Sequence, residues 1–513
     1  MTDDRLFTSP FNRHSRPIPG PVSLFDTTLR DGEQAPGVAL GTDDKIAIAK
    51  ALDDLGVARI EAGFAAGAAQ EAVSLKEIAG LGLNAKIYSL ARCTEKDIDA
   101  VADTGLSNAH LFLASSDSHL RHKLSLGRDE AVAKAVSAVE YAKSLGLNVQ
   151  FSCEDATRTD PDFLERFYAA VVEAGADEID IPDTVGAALP AAMEYLAGRM
   201  SKLGVPVAVH CHNDLGLAVA NSLAAMSAGA SQAHVSVIGL GERTGNAALE
   251  EMALTLYLNH GHRVVDLSKL AGVARLVSRY SGRAIHVNKP VVGRDAFAHE
   301  SGIHVHGMLN DPTTYEAYAP ELVGMDRSIK LGKHSGTHSL SSRLAAMGMT
   351  FPEEMMPELL AEVKTIALGG KEINDLELAA VAGGLMWKGR PANTVELKRF
   401  RVTTGRGIVP EAYVTVSIGG EERSHVASGN GPVDASVNAL RGALGEPISL
   451  EEFRVEAITG GTDALGEVTV ILKDKAGGGE ATPGKAVGLD IVDTTMVAIL
   501  EAINRIYERR KAV

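Results

Sequence analysis

Short apolar runs rich in β-branched residues alternate with longer amphipathic stretches from residue 22 to about 241. The runs are Val22–Thr28, Ala58–Phe64, Ala85–Arg92, Asn108–Ser115, Asn148–Ala156, Glu178–Thr184, Pro206–Asp214 and Ala233–Gly241. Between them, segments such as Asp43–Leu55, Glu130–Leu145 and Pro161–Ala174 carry apolar residues at helical spacing. Thr42-Asp-Asp precedes the first helix, and Gly56, Gly146 and Gly175 stand where helices should end. Eight strands alternating with helices over roughly 250 residues is the size and count of a (β/α)8 TIM barrel. An open doubly wound sheet seldom uses so many evenly spaced parallel strands.

Past about residue 280 the rhythm changes. Asn288 to Leu340 is rich in His, Gly and Pro, and helical segments then run to about Gly384. A second change falls near Gly389–Asn393. Beyond it, Val395–Thr403, Glu411–Ile418, Phe453–Thr459 and Val468–Leu472 read as strands, with helices over Asp434–Leu444 and Asp490–Arg509. The Gly/Pro-rich stretch Ala476–Gly484 reads as an exposed loop. Two similar β-β-α blocks result. The expected organisation is an extension at 1–21, a TIM-barrel α/β domain at 22–284, a linker with helical subdomains at 285–390, and a C-terminal α+β domain at 391–513.

Composition narrows the class. Apolar residues make up 45% of the 513, which excludes a disordered chain, and no long uncharged apolar run predicts a membrane span. Met1 to Pro21 is polar and Pro-rich, unlike a secretory signal. Cys93, Cys153 and Cys211 are too few for a disulfide framework and point to the cytoplasm. The formal net charge of −16 lacks the basic footprint that nucleic acid needs.

A barrel places its chemistry at the C-terminal ends of its strands, and polar residues recur there. Asp31 follows strand one, Glu61 lies on strand two and Ser152-Cys-Glu154 on strand five, while strand six ends in Asp183-Thr184. His210-x-His212 puts two imidazoles on one face of strand seven. Alone, that pair reads better as a hydrogen-bonded filler of the mouth. With Asp31 after strand one and Asn246 after strand eight at the same end, it reads as a divalent-cation site (Zn, Mn, Fe or Mg) with positions open to substrate. Gly239-x-Gly241 is a tight turn or, at the top of strand eight, a phosphate cradle for a coenzyme. Cys153 and Cys211 alternate away from these residues and read as packing.

Four blocks carry a resemblance: Asp26-Thr-Thr-Leu-Arg-Asp-Gly-Glu-Gln34, His210-Cys-His-Asn-Asp-Leu-Gly216, Gly239-Leu-Gly-Glu-Arg-Thr-Gly-Asn246 and His299-Glu-Ser-Gly-Ile-His304. In type and order they resemble the 2-isopropylmalate, homocitrate and citramalate synthase family. The stretch containing Gly429–Asp434 and Asp463–Glu467 looks like the regulatory domain of 2-isopropylmalate synthases. The resemblance implies a Claisen-type condensation of acetyl-CoA, as co-substrate, with a 2-oxo acid, followed by thioester hydrolysis. It implies a metal (Mg, Mn or Zn) on Asp31, His210, His212 and Asn246, with Arg30 stabilising the developing oxyanion. It further implies 2-oxo acid contacts from His119, Ser152 and Thr184, and a base relay of Glu154, His304 and Tyr315, the last two reaching a partner subunit of a homodimer or larger homo-oligomer. Read without the motif, His304 is a surface histidine of a His-rich loop and Tyr315 a packing residue.

The 2-oxo acid is signalled less uniformly. Ile181–Gly186 and the C-terminal domain look like 2-isopropylmalate synthase, which uses 2-oxoisovalerate and implies leucine as effector. Val305-His306 and Ala187 depart from that pattern, and Gln34–Val38 looks more like homocitrate or citramalate synthases. Citramalate synthase, using pyruvate with isoleucine as effector, is therefore second, and homocitrate synthase, using 2-oxoglutarate, third. Metal-dependent aldolases of the same barrel superfamily share the early Asp-x-Thr-x-Arg-Asp motif but lack the His299–His304 block.

Overall fold

The computed structural model describes residues 8–347, 349, 351–368, 373–375, 377–378, 381–382, 385, 395–445, 447–457, 466–474, 481–488 and 490–512. They fall into two units. One takes in the chain up to Ala298 together with Tyr315–Arg327, the other His299–Thr314 and the chain from Ser328 onward.

The first unit is built on a closed barrel of eight parallel strands: β1 (Ser23–Asp26), β2 (Arg59–Phe64), β3 (Lys86–Arg92), β4 (Asn108–Ala114), β5 (Asn148–Glu154), β6 (Glu178–Asp183), β7 (Val207–Cys211) and β8 (Gln232–Val235). Closure comes from β1 pairing with β8, Phe25 opposite His234 and Asp26 opposite Val235. These strands are buried on both faces, as parallel strands under a helical layer must be; every residue of β6 and β7 is buried. Phe25, Phe151, Phe167 and Tyr168 are fully enclosed, each stabilising the fold by roughly 1.5–3 kcal/mol. Tyr168 pins two strands together, since its hydroxyl donates to the Asp180 carbonyl and accepts from the Cys153 amide.

The helix stop signals act locally as read, but Thr42, expected to precede the first helix, is its first residue, with Gly41 at the N-cap. Helix Thr42–Leu55 stops at Gly56, whose φ of 93° suits a residue without a Cβ. Helix Pro161–Glu173 starts with Pro at its first position, and the Asp160 side chain accepts from the Phe163 amide. Strand eight is shorter than expected: beyond Val235 the chain forms a 3-10 turn at Val237–Gly239, so Gly239 and Gly241 belong to a loop. Segment Tyr315–Arg327 is not remote from the barrel, because Leu322 and Val323 join its apolar core.

In the second unit, His304 lies on helix Gly302–Asn310 rather than in a loop. Helices Thr337–Ala346 and Met356–Ala367 share a small core of Leu340, Leu344, Leu359 and Val363. The C-terminal blocks are β-β-β-α, not β-β-α. Strands Val395–Gly405, Ile408–Ile418 and Glu421–Ser428 precede helix Pro432–Leu444; strands Ile448–Ala457, Gly466–Asp474 and Ala481–Gly488 precede helix Ile491–Ala512. The third strand of each block escaped the sequence reading. Residues 481–484, expected in a loop, are paired with Gly466–Asp474, while residues 476–480 lie outside the described residues. Gly484 permits close packing there, since a Cβ would collide with the Ala498 carbonyl and the Ala502 side chain of the final helix.

Candidate active site

His210 is the penultimate residue of β7 and His212 follows directly after its end at Cys211, so at a spacing of two both rings turn to the barrel mouth. Their Nε2 atoms lie 3.3 Å apart. Asp31, in the turn after β1, sets Oδ2 3.3 Å from His210 Nε2 and 3.8 Å from His212 Nε2. All three residues are buried, with ligand atoms within 4.8 Å of one another. Asn246 joins them because the loop after β8 is stitched to the end of β7. His212 and Asn246 form an isolated antiparallel bridge, the Asn213 amide donates to Gly245 O and the Ala247 amide to Cys211 O. Asn246 Nδ2 donates to the Leu240 carbonyl, while the buried Oδ1 has no hydrogen-bond partner.

This donor set fits a divalent cation. Burial works against the Asp31 carboxylate, but Arg30 with His210 and His212 outweighs it and holds the group well below the usual carboxylate range. Burial, reinforced by the neighbouring His210, pulls His212 down to about 4, so its ring is neutral and able to ligate near pH 7. Two imidazole nitrogens converge on one carboxylate oxygen, with a buried amide oxygen unsatisfied beside them, a set of donors that a divalent cation would satisfy together. The loop glycines serve this geometry. A Cβ at Gly241 would lie 2.5 Å from Asn246 Nδ2 and 3.1 Å from Asp31 Oδ1, and one at Gly245 would strike the Gly239 carbonyl.

A polar chain crosses the mouth beside the cluster. Arg30 donates from Nε to Glu61 Oε2 (2.6 Å) and from a terminal nitrogen to Asp31 Oδ2 (2.8 Å). Glu61 Oε1 meets His110 Nδ1 at 2.7 Å, His110 Nε2 meets Ser152 Oγ at 2.6 Å, and Ser152 donates to Asp180 Oδ2 at 2.6 Å. Burial raises and Arg30 and His110 lower the Glu61 carboxyl, which ends at about 2. Burial dominates at Asp180, whose carboxyl is raised. The chain thus fixes the direction of the Arg30 guanidinium.

These groups surround a cavity of about 270 Å³. Arg30, Asp31, Ser152, Glu154, Thr184, His210 and His212 all line it, and Leu90, Phe112 and Pro182 form its apolar wall. Glu154 receives both oxygens' partners from one residue, Lys123, at 2.6 and 2.8 Å. Lys123 is carried on a π-helical turn, Leu120–Leu124, a rare geometry that sequence periodicity does not reveal. Thr184 Oγ1 accepts the Asp155 amide at 2.9 Å.

Some expected residues stand elsewhere. His119 does not line the cavity and lies 3.7 Å from Glu154 Oε1 and 3.8 Å from Asp155 Oδ2. His110, on the inner face of β4, occupies the cavity instead; its apolar surroundings in Asn108–Ala114 disguised it. Gly239 and Gly241 do not line the cavity either. Tyr315 belongs to the first unit, 45% exposed and outside the cavity lining, and His304 is exposed in the second unit. Cys153 and Cys211 are buried free thiols pushed far up by burial, as packing residues should be.

Comparison with known proteins agrees with this architecture. Residues 21–277 match the HMGL-like family, 291–371 the homocitrate synthase post-HMGL domain-like family and 372–507 the LeuA allosteric (dimerisation) domain. A 2-isopropylmalate synthase of Methanocaldococcus jannaschii is 46% identical over 96% of both chains. A probable 2-isopropylmalate synthase of Methanopyrus kandleri is also 46% identical, over 96% of this chain and all of that one, and a putative (R)-citramalate synthase of the same organism is 41% identical over 96% and 98%. Among solved structures, the hydroxymethylglutaryl-CoA lyase of Pseudomonas aeruginosa covers 52% of this chain and 95% of its own at 23% identity, with a TM-score of 0.49. Barrel, donor cluster and relatives together define a metal-dependent acyltransferase. The chain belongs to the 2-isopropylmalate, homocitrate and citramalate synthase family.

Proposed function

We propose that this chain joins the acetyl group of acetyl-CoA to 2-oxoisovalerate, forming 2-isopropylmalate and free coenzyme A on the route to leucine. The observation that carries the reading is the cluster of Asp31, His210 and His212 with the unsatisfied Oδ1 of Asn246, facing a cavity that also holds Arg30 and Glu154. The 46% identity to 2-isopropylmalate synthases, against 41% to citramalate synthases, favours 2-oxoisovalerate over pyruvate.

A divalent cation (Mg, Mn or Zn) on those four residues supplies Lewis-acid polarisation of the keto oxygen. The chain's own groups do the rest. Thr184 offers its hydroxyl proton to the 2-oxo acid, with Ser152 lining the cavity beside it and His110, whose two ring nitrogens meet Glu61 and Ser152, positioning Ser152. Arg30 stands beside the carbon that is attacked, a permanent cation for the oxyanion. Glu154 is the cavity carboxylate suited to relay a proton from the acetyl methyl, with His304 and Tyr315 of a second subunit completing the relay. Water then splits the thioester and releases the thiol. Gly239 and Gly241 are better explained by room for Asn246 than by a coenzyme phosphate.

The C-terminal domain, on the same reading, joins two subunits and senses an amino-acid end product. A cavity of about 560 Å³ beside helix Pro432–Leu444 offers Asp434 for an ammonium, Arg441 for a carboxylate, and Val433, Val437, Leu450 and Phe453 for an aliphatic side chain. Leucine suits it first and isoleucine second. Among the described residues no helix is long and apolar enough to cross a membrane, and buried free cysteines suit a reducing cytoplasm. The deciding experiment is release of coenzyme A thiol from acetyl-CoA with a panel of 2-oxo acids, the product identified by mass.

A further inference from the structure

Among the residues other than glycine with a left-handed backbone are Asp155 (φ 66°) in the loop after β5 and Ile238 (φ 53°) and Arg243 (φ 57°) in the loop after β8. Asp155 and Arg243 both bind Thr184. The Asp155 amide donates to Thr184 Oγ1 at 2.9 Å, and an Arg243 terminal nitrogen donates to the Thr184 carbonyl at 2.8 Å. Arg243 also grips Asp214 with a two-pronged fork, Nε to Oδ1 and a terminal nitrogen to Oδ2, each at 2.8 Å. Asp155 is itself locked by Ser116 Oγ and by Arg158 Nε at 2.7 Å.

We propose that Arg243 is a positioning residue that fixes Thr184 for the carboxylate of the 2-oxo acid. The proposal rests on the reading of Thr184 as a substrate contact. Left-handed backbone costs a side chain-bearing residue about 1–3 kcal/mol. Glycine at 243 would remove that cost, as glycine does at 239 and 245 in the same loop. The ion pair to Asp214, whose partners are 38% and 25% exposed, is worth roughly 1 kcal/mol or less and does not by itself offset the strain, so the bond to the Thr184 carbonyl must share in doing so. What the strain achieves is geometric. It brings the loop after β8 against those after β6 and β7, with Arg243 lining the cavity beside Thr184 and His212. Gly186 allows the approach, since a Cβ there would stand 2.5 Å from Asp214 Oδ2. Thr184 is then held at both ends. Because Oγ1 already accepts the Asp155 amide, its own proton is the donor left for an anion in the cavity.

The test uses full-length, metal-loaded enzyme and the variants R243G, R243K and T184V. R243G relieves the backbone while removing the fork; R243K keeps a cation that cannot bind Asp214 and Thr184 together. For both, KM for 2-oxoisovalerate should rise by about tenfold or more, the loss of a charge-assisted hydrogen bond. The KM for acetyl-CoA and the bound metal should stay as in the parent. Millimolar ethylguanidinium should restore much of the KM of R243G, which loss of fold would not allow. A 2-oxo acid KM within about twofold of the parent in R243K and R243G, or no rescue by ethylguanidinium, overturns the proposal. T184V separates the two layers. If it raises KM while the Arg243 variants do not, the positioning role alone is wrong; if it leaves KM unchanged, the assignment of Thr184 is wrong and the inference falls with it.

Discussion

Asn246 and His212, from the loops after β8 and β7, face each other across an isolated antiparallel bridge, and the Asn246 Oδ1 beside it is buried without a partner. An unsatisfied buried oxygen costs on the order of 1–3 kcal/mol, and coordination removes that cost. Asn246→Ala should therefore leave the fold intact and weaken divalent-cation affinity by about tenfold or more. Calorimetric titration of metal-stripped protein with Mn2+ measures this, and unchanged affinity would remove Asn246 from the site. His210→Ala and His212→Ala should abolish turnover together with metal content.

Asp26 gives the fold a pH dependence of its own. Its carboxyl accepts from the Thr28 amide and hydroxyl, yet burial dominates and pushes it up to about 7 from 3.8. A raised carboxyl favours folding while protonated. Its contribution is fully present below about pH 4 and is lost as pH climbs toward 7. The shift corresponds to roughly 4 kcal/mol. Asp26→Asn should abolish this slope, so that variant and parent diverge between pH 4 and 7, the variant gaining. Urea unfolding across that range measures it; parallel curves would refute the assignment.

The barrel was legible because parallel strands under helices leave short apolar runs bounded by glycine and Asp/Thr signals, and those marks are local. The convergence of His210 and His212 was legible for the same reason: period-two alternation fixes them on one face. Residues placed by loop geometry were not. Lys123 reaches Glu154 through a π turn, Arg243 depends on a left-handed backbone, and His110 sits within an apolar strand. The third strand of each C-terminal block was missed because Glu421–Ser428 is almost wholly exposed and Ala481–Gly488 carries Gly and Pro, so neither shows a buried apolar face.

Glu154→Gln and His304→Ala should lower kcat by about 10²–10⁴-fold while affinity for the 2-oxo acid stays near the parent's, because a proton relay acts in the transition state. A defect confined to KM would contradict the relay. If His304 serves the site of a second subunit, mixing the two inactive variants should restore part of the activity through hybrid dimers. Absence of any restoration would place the residues in one subunit's site or remove His304 from the chemistry.

Arg441→Ala should abolish saturable leucine binding and relieve inhibition while leaving basal turnover intact, since Arg441 lies in the C-terminal cavity and not among the metal and acid-base groups. Allosteric coupling is reciprocal in binding, so 2-oxo acid should weaken leucine binding in the parent by the same factor that leucine weakens 2-oxo acid binding. Equilibrium dialysis with labelled leucine measures both. A parent enzyme that neither binds nor responds to leucine or isoleucine would leave the domain a purely dimerising role.

The most direct test of the whole account is thiol release from acetyl-CoA by metal-loaded and chelator-treated enzyme, with 2-oxoisovalerate, pyruvate and 2-oxoglutarate offered separately. The account predicts metal-dependent release, with kcat/KM greatest for 2-oxoisovalerate and 2-isopropylmalate as product. Release undiminished after removal of the metal, or a higher kcat/KM with pyruvate or 2-oxoglutarate, would contradict it.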